Sequence, residues 1–111
     1  MKYFFSLRIK ATPEQSYKIT NILGIGPNYP QLGWEHDLVV KDNEYSNFID
    51  YFISILRGKY EKLEDIGITR DKISIWMIYE YEEQCNMEFT PEDLKKLGDN
   101  GINLCVSCYE A

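Results

Sequence analysis

The sequence Thr12-Pro13-Glu14-Gln15 has a counterpart near the other end of the chain, Thr90-Pro91-Glu92-Asp93, and each stretch is typical of the first turn of a helix. The threonine hydroxyl can accept a free backbone N–H, and proline at the first helical position needs no donor. The acidic side chains suit the positive end of the helix dipole. An apolar strand, 3–9, precedes the first stretch, and Leu104-Cys105-Val106 follows the second.

Hydrophobic periodicity extends this pattern along the chain. Strands are predicted over 3–9, 38–40, 73–81 and 102–109, with a short extended segment at 87–89 that pairs back as a hairpin. Helices are predicted over 13–23 and 91–98, and a longer one begins within 44–47, capped by Ser46 or Asn47. This longer helix either continues past Gly58 or is followed by a second short helix.

The resulting order, β-α-β-α-β-(β)-α-β, predicts an α+β domain with a single sheet, mixed or mainly antiparallel, and helices on one face. The repeated strand and helix units favour a ferredoxin-like arrangement. With 111 residues, the chain is expected to form one domain that spans 1–111.

The charge balance restricts the classes of partner. Twelve basic residues against eighteen acidic ones give a formal net charge of −6. Nucleic acids and anionic membranes require a positive surface, so neither is expected to bind. A basic protein partner is compatible with this charge, and so is the simpler interpretation that acidic residues keep the protein soluble.

The cysteines and the N-terminal segment favour a cytoplasmic protein. The chain has three cysteines, Cys85, Cys105 and Cys108, and this odd number argues against a closed disulfide framework and fits a reducing compartment. Cys105 and Cys108 lie three apart on a predicted strand and should point to opposite faces, as ordinary buried thiols. With His36 as the single histidine, we expect no metal site and no cofactor. The early apolar run is short and interrupted, unlike a signal peptide or a membrane span.

One candidate binding surface is an acidic segment with interleaved aromatic residues. Such a surface can attract a basic protein through its carboxylates and anchor it through aromatic rings. A solvated hairpin tip would explain the same acids without a partner. The predicted partner-binding residues are Tyr79, Glu80, Tyr81, Glu82, Glu83 and Glu88.

A second candidate is the segment 29–37, where a histidine is flanked by acids. Carboxylates raise the pKa of a neighbouring histidine, which could then shuttle a proton. Alternatively, these neighbours alternate along a strand edge, with Trp34 in the core and His36 in solvent. The residues proposed for this ligand-binding loop are Tyr29, Trp34, His36 and Asp37. No catalytic residues are predicted from the sequence.

Several of these features together resemble the domain-of-unknown-function 4279 family. They are Leu23-Gly24 with Pro27, Gly33-Trp34 before a short strand, and the tail from Phe89-Thr90-Pro91-Glu92-Asp93-Leu94 to Gly101-Ile102-Asn103-Leu104. The resemblance covers nearly the whole chain and implies no catalytic residues. It implies a small bacterial cytoplasmic protein of a kind sometimes linked to toxin systems as an immunity protein.

Together these observations favour a non-enzymatic protein-binding domain, an immunity-type inhibitor that masks a basic toxin or another cationic protein. The alternative is a small enzyme or ligand-binding domain that uses the loop 29–37. The chain could also form a homo-oligomer if the strand 3–9 were a sheet edge, although Arg8 and Lys10 would guard such an edge.

Overall fold

The computed structural model describes residues 2–28, 33–40, 47–84 and 86–110. Over these residues the chain has an α+β fold with four helices and one four-stranded mixed sheet. The elements are β1 (Lys2–Ile9), α1 (Pro13–Leu23), β2 (Trp34–Val39), α2 (Phe48–Leu56), α3 (Tyr60–Asp65), a 3-10 turn (Arg70–Lys72), β3 (Ile73–Tyr81), α4 (Pro91–Asn100) and β4 (Asn103–Glu110). None of the helices in the described part of the chain is long and apolar enough to span a membrane.

The strand order in the sheet is β2-β1-β3-β4. The central strand β1 pairs antiparallel with β2 and β3, whereas β3 and β4 are parallel neighbours. The predicted ferredoxin-like order is not confirmed, because the chain runs from β3 through α4 directly into a parallel neighbour. The prediction that 3–9 offers a free edge to a second copy is wrong, since strands flank β1 on both sides.

Both Thr-Pro helix starts are confirmed. Thr12 Oγ1 accepts a hydrogen bond from the Gln15 backbone N–H at 3.2 Å, and Gln15 Oε1 accepts one from Thr12 at 3.0 Å, which completes a capping box. Thr90 Oγ1 accepts from the Asp93 backbone N–H at 3.2 Å. Helix α4 extends two residues beyond its predicted end, because Gly101, with a φ of 67°, supplies the left-handed residue that ends it.

The long apolar segment in the middle of the chain forms two helices. Asn47 caps α2 by accepting a hydrogen bond from the Asp50 backbone N–H at 3.2 Å. Gly58 has a φ of 77°, so the chain turns there and α3 begins at Tyr60. Of the two arrangements that the sequence allowed, the second short helix is therefore the one that forms.

Two strand predictions require correction. Strand β2 begins at Trp34, four residues before its predicted start, because pairing with β1 holds the polar stretch 35–37 in the sheet. Residues 86–90 contain no strand, so the predicted hairpin at 87–89 is wrong. The reason is that β1 and β4 already occupy both edges of β3.

The core lies against one face of the sheet. Phe5, Leu7 and Ile9 of β1 are buried beside Ile73 and Ile75 of β3, and the alternating residues point to the opposite face. The ring of Phe48 stacks on Phe5 with centroids 4.0 Å apart. Each helix contributes buried side chains to this cluster, among them Ile19, Phe52, Leu63 and Leu97.

The thiols in β4 differ from the prediction in their burial. Cys105 and Cys108 lie three residues apart in the strand, opposite Trp76 and Tyr79 of β3. Cys105 is half-buried and Cys108 is exposed, so they are not the buried thiols that the sequence favoured. Their exposure follows from the position of β4 at the edge of the sheet.

Candidate functional site

Three of the four predicted acids, Glu80, Glu82 and Glu83, lie at the end of the sheet where β3 and β4 finish. Glu82 and Glu83 follow β3 directly and are exposed, and Glu110 is exposed at the end of β4 opposite Tyr81. Glu88 is exposed in the segment that leads to α4, while Glu80 is half-exposed within β3. We call the set Glu80, Glu82, Glu83, Glu88 and Glu110 the acidic end.

The tyrosines predicted to accompany these acids do not all share their surface. Tyr79 is only 9% exposed and belongs to the core-facing side of β3, so it offers little area to a partner. Tyr81 is half-exposed. Tyr109, which is 48% exposed and lies opposite Glu80, is an aromatic neighbour of the acids that the sequence prediction missed. Its position depends on the register between β3 and β4, which local sequence does not show.

The carboxylates of the acidic end form no ion pair within the described residues. The acids at the start of α4 differ, because Glu92 and Asp93 lie near Lys96, which is also paired with Asp50. A hydrogen bond to Asp50, supplemented by the nearby carboxylates, raises the pKa of Lys96. The backbone of Lys2 lies opposite Glu80 in the sheet. Glu82, Glu83, Glu88 and Glu110 therefore present the most available negative charge.

A second cluster lies on the sheet face opposite the core. We call its members, Ser6, Arg8, Glu35, Ser74 and Trp76, the Arg8 cluster. Arg8 Nε is 2.9 Å from Glu35 Oε1 and donates a further hydrogen bond of 3.3 Å to Ser6 Oγ. Its guanidinium lies over the Trp76 ring, 4.7 Å from the centroid. Trp76 Nε1 in turn donates to Ser74 Oγ at 2.9 Å. These contacts orient the guanidinium and the indole relative to each other.

In this cluster, Glu35 is the residue whose carboxyl group has a shifted pKa. Its side chain is 15% exposed. Burial raises the pKa of Glu35, Arg8 partly opposes the increase, and the Asp37 carboxylate adds to it. Asp37 Oδ1 is buried and accepts no hydrogen bond within the described residues. A protonated Glu35 would provide the donor that this oxygen lacks.

The Arg8 cluster opens into a cavity of about 190 Å³. This volume is below the range of roughly 300–1,000 Å³ that is usual for small-molecule sites, so a small ligand group would suit it. The wall carries two basic side chains and one acidic one. The lining residues are Arg8, Ile9, Lys10, Trp34, Glu35, Ser74 and Trp76.

The structure does not bring the predicted ligand-binding loop together as one site. Tyr29 lies outside the described residues. Trp34 is 1% exposed and its Nε1 donates to Thr20 Oγ1 at 3.2 Å. His36 is half-buried rather than solvated, with Nδ1 3.0 Å from the Gly26 carbonyl oxygen and Nε2 3.3 Å from the Tyr51 hydroxyl.

Successive side chains of β2 point to opposite faces of the sheet, and this separates the remaining residues of the predicted loop. Trp34 and His36 share the core-facing side, whereas Asp37 lies with Glu35 on the opposite face. Local sequence patterns do not indicate that Arg8, Glu35 and Trp76 form a cluster. Each comes from a different strand, and the three meet only through the register of β1 with β2 and β3.

A scan against protein-family models found no match, and searches of curated proteins and of solved structures found no similar protein. The resemblance to the domain-of-unknown-function 4279 family therefore stays a prediction, and the function must be argued from the geometry of this chain.

Proposed function

We propose that this protein is a non-enzymatic protein-binding domain whose acidic end receives a basic surface of a partner. The observation that carries the proposal is the group of exposed carboxylates without an ion-pair partner among the described residues. Clustered unpaired charge accelerates association with an oppositely charged protein. Tyr81 and Tyr109 lie beside these acids and can supply aromatic contact area.

The finer form of the proposal is an immunity-type inhibitor that masks a basic toxin in the bacterial cytoplasm. The family resemblance supports this form, as does the net charge of −6. We also infer that all four helices cover a single face of the sheet, since each contributes buried residues to the one core cluster. This arrangement would leave the ends and edges of the sheet for recognition.

The test compares two charge-reversal variants of equal net charge. Glu82→Lys/Glu83→Lys/Glu88→Lys alters the acidic end, and Glu14→Lys/Glu61→Lys/Glu64→Lys alters exposed acids on α1 and α3. Each variant changes the formal charge by 3 × 2 = 6, from −6 to 0. A tagged parent protein is used to capture a partner from native lysate, and the captured protein is then purified for kinetic measurements.

We expect the parent to capture one stoichiometric basic protein that is released as salt rises, because ions screen exposed charges. The first variant should associate with it about tenfold or more slowly at low salt, and the second close to the parent rate. Equal slowing of both variants would show that net charge alone matters. Parent-like binding by the first variant would refute the role of the acidic end.

The cavity beside Arg8 favours a second function, binding of a small carboxylate. Arg8 and Lys10 outnumber Glu35 in its wall, and Trp76 offers an aromatic surface. Sodium benzoate should therefore shift the indole N–H resonance of Trp76, whereas the uncharged benzamide should not. Arg8→Gln should abolish the shift. Equal responses to benzoate and benzamide, or none, would exclude an anion site here.

A further inference from the structure

The two outer edges of the sheet differ in whether another part of the chain hydrogen-bonds to their outward backbone groups. At β2, the Asn28 backbone N–H donates to the Glu35 carbonyl oxygen at 2.7 Å. The Asp37 backbone N–H donates to Asn28 Oδ1 at 2.8 Å. Asn28 therefore occupies the outward backbone groups of Glu35 and Asp37, and this edge is closed to a further strand there.

Strand β4 has no equivalent cover over 103–107. Within the described residues, β3 is its only strand neighbour, and no other backbone hydrogen bond involves these five positions. The strand contains no lysine, arginine or proline, the residues that usually protect an edge. Its side chains are accessible as well, since Val106 is 41% exposed and Ser107 is exposed.

The charge around β4 indicates what would cover this edge. Glu110 ends the strand, and Glu80 lies opposite Tyr109, so the acidic end adjoins the C-terminal end of β4, two residues beyond Ser107. A second copy would bring another chain of formal charge −6 and a second acidic end to the same edge. An extended segment with lysine or arginine side chains would instead complement the acids while its backbone satisfies the strand.

We propose that β4 binds its partner by strand addition, with an extended basic segment as the fifth strand of the sheet. This inference rests on the proposed function, because the acidic end selects the basic segment. The backbone of 103–107 forms hydrogen bonds with the backbone of the added segment, and these bonds depend little on the sequence of that segment. The carboxylates provide the preference for positively charged side chains. Tyr109 lies two residues beyond 103–107 in the same strand, opposite Glu80.

The probe is a heptapeptide in which lysine alternates with valine or threonine. Two N-methylated versions of this peptide are also prepared, one methylated at the odd positions and the other at the even positions. Each version keeps the charge of the peptide but lacks one alternate set of backbone N–H donors. Binding is followed through the backbone amide resonances of the ¹⁵N-labelled protein. We expect the unmethylated peptide to shift the resonances of 103–107, and one methylated copy to lose at least about threefold in affinity.

A matched pair of variants tests the same edge from the protein side. Ser107→Lys places a like charge beside the basic strand and should weaken peptide binding at least about threefold relative to Ser107→Glu. Both replace the same exposed side chain, so loss of the fold would affect them alike. Equal peptide affinities in the two variants would contradict strand addition.

The other outcomes separate strand addition from the proposed function. Equal binding of all three peptides, with shifts near Glu82 but none over 103–107, overturns strand addition and leaves the acidic end as the binding surface. If none of the peptides binds, strand addition is overturned. The proposed function is then still decided by the comparison of the two charge-reversal variants. A dimer in solution whose 103–107 amides are protected without peptide also overturns it, because a second copy then covers the edge.

Discussion

At the scale of single residues, Arg8 organises the sheet face opposite the core. Its side chain is 34% exposed, so its ion pair with Glu35 is worth about 1 kcal/mol or less to stability. Arg8 matters more for the arrangement of its neighbours, because one guanidinium contacts Ser6, Glu35 and Trp76 together. These side chains come from three neighbouring strands, which brings an acid, a base and an aromatic ring to one cavity.

The raised pKa of Glu35 predicts a pH-dependent stability. Because the folded protein binds this proton more tightly than the unfolded chain, Glu35 makes the free energy of unfolding fall as pH rises above its ordinary pKa of 4.5. Glu35→Gln removes this titration. The variant should therefore gain stability relative to the parent between pH 4 and pH 7, as measured by urea unfolding at each pH.

The other carboxyl groups are common to both proteins and largely cancel in this comparison. Arg8→Gln serves as the control, since it removes the same ion pair but keeps a titrating Glu35. Because Arg8 opposes the increase in the Glu35 pKa, this variant should lose stability with rising pH at least as steeply as the parent. A stability difference between Glu35→Gln and the parent that stays constant with pH, or changes in the opposite direction, would show that Glu35 titrates normally.

At the scale of elements, the two Thr-Pro helix starts have the same threonine cap but different surroundings. Thr12 belongs to a reciprocal capping box with Gln15, and Gln15 Nε2 also donates to the Ile66 carbonyl oxygen at 3.0 Å. This last bond joins the start of α1 to the end of α3. Thr90 makes the single cap bond to Asp93. Among the described residues, the cap of α1 is therefore hydrogen-bonded to a distant part of the chain in a way that the cap of α4 is not.

We predict that Thr12→Ala and Thr90→Ala each lower the free energy of unfolding by about 1 kcal/mol, because each exposes an unpaired helix N–H. The loss at Thr12 should be the larger, since Gln15 also loses part of its fixed position. Urea unfolding measures both. Thr12→Ser and Thr90→Ser keep the hydroxyl and should restore most of the stability, and serine variants as unstable as the alanine ones would rule out capping as the cause.

At the scale of the whole molecule, the uncovered strand edge and the acidic end follow one another along β4. Among the described residues, the carboxylates without ion pairs at the end of β3 adjoin β4, the strand whose outer edge is uncovered over 103–107. The Arg8 cluster lies further along the same strands, where β1 reaches its end at Ile9. The sheet thus separates a surface suited to a basic partner from a cavity suited to a small anion.

Local chemistry was enough to identify α1 over 13–23, β3 over 73–81 and both threonine caps. Capping, left-handed glycines and apolar alternation all depend on residues a few positions apart, so they are visible in the sequence. The same local pattern failed at β2 and at 87–89. In both places the outcome depended on which strand edges were already occupied.

The sites depended still more on long-range pairing. The acids after β3 were visible as a charged segment, but the contributions of Tyr109 and Glu110 required the parallel register of β4. The Arg8 cluster required two registers at once, because its members are remote in the chain and meet only across the sheet. Composition and spacing therefore determine which helices and strands can form, whereas the competition among strands for hydrogen-bonding edges determines which side chains meet.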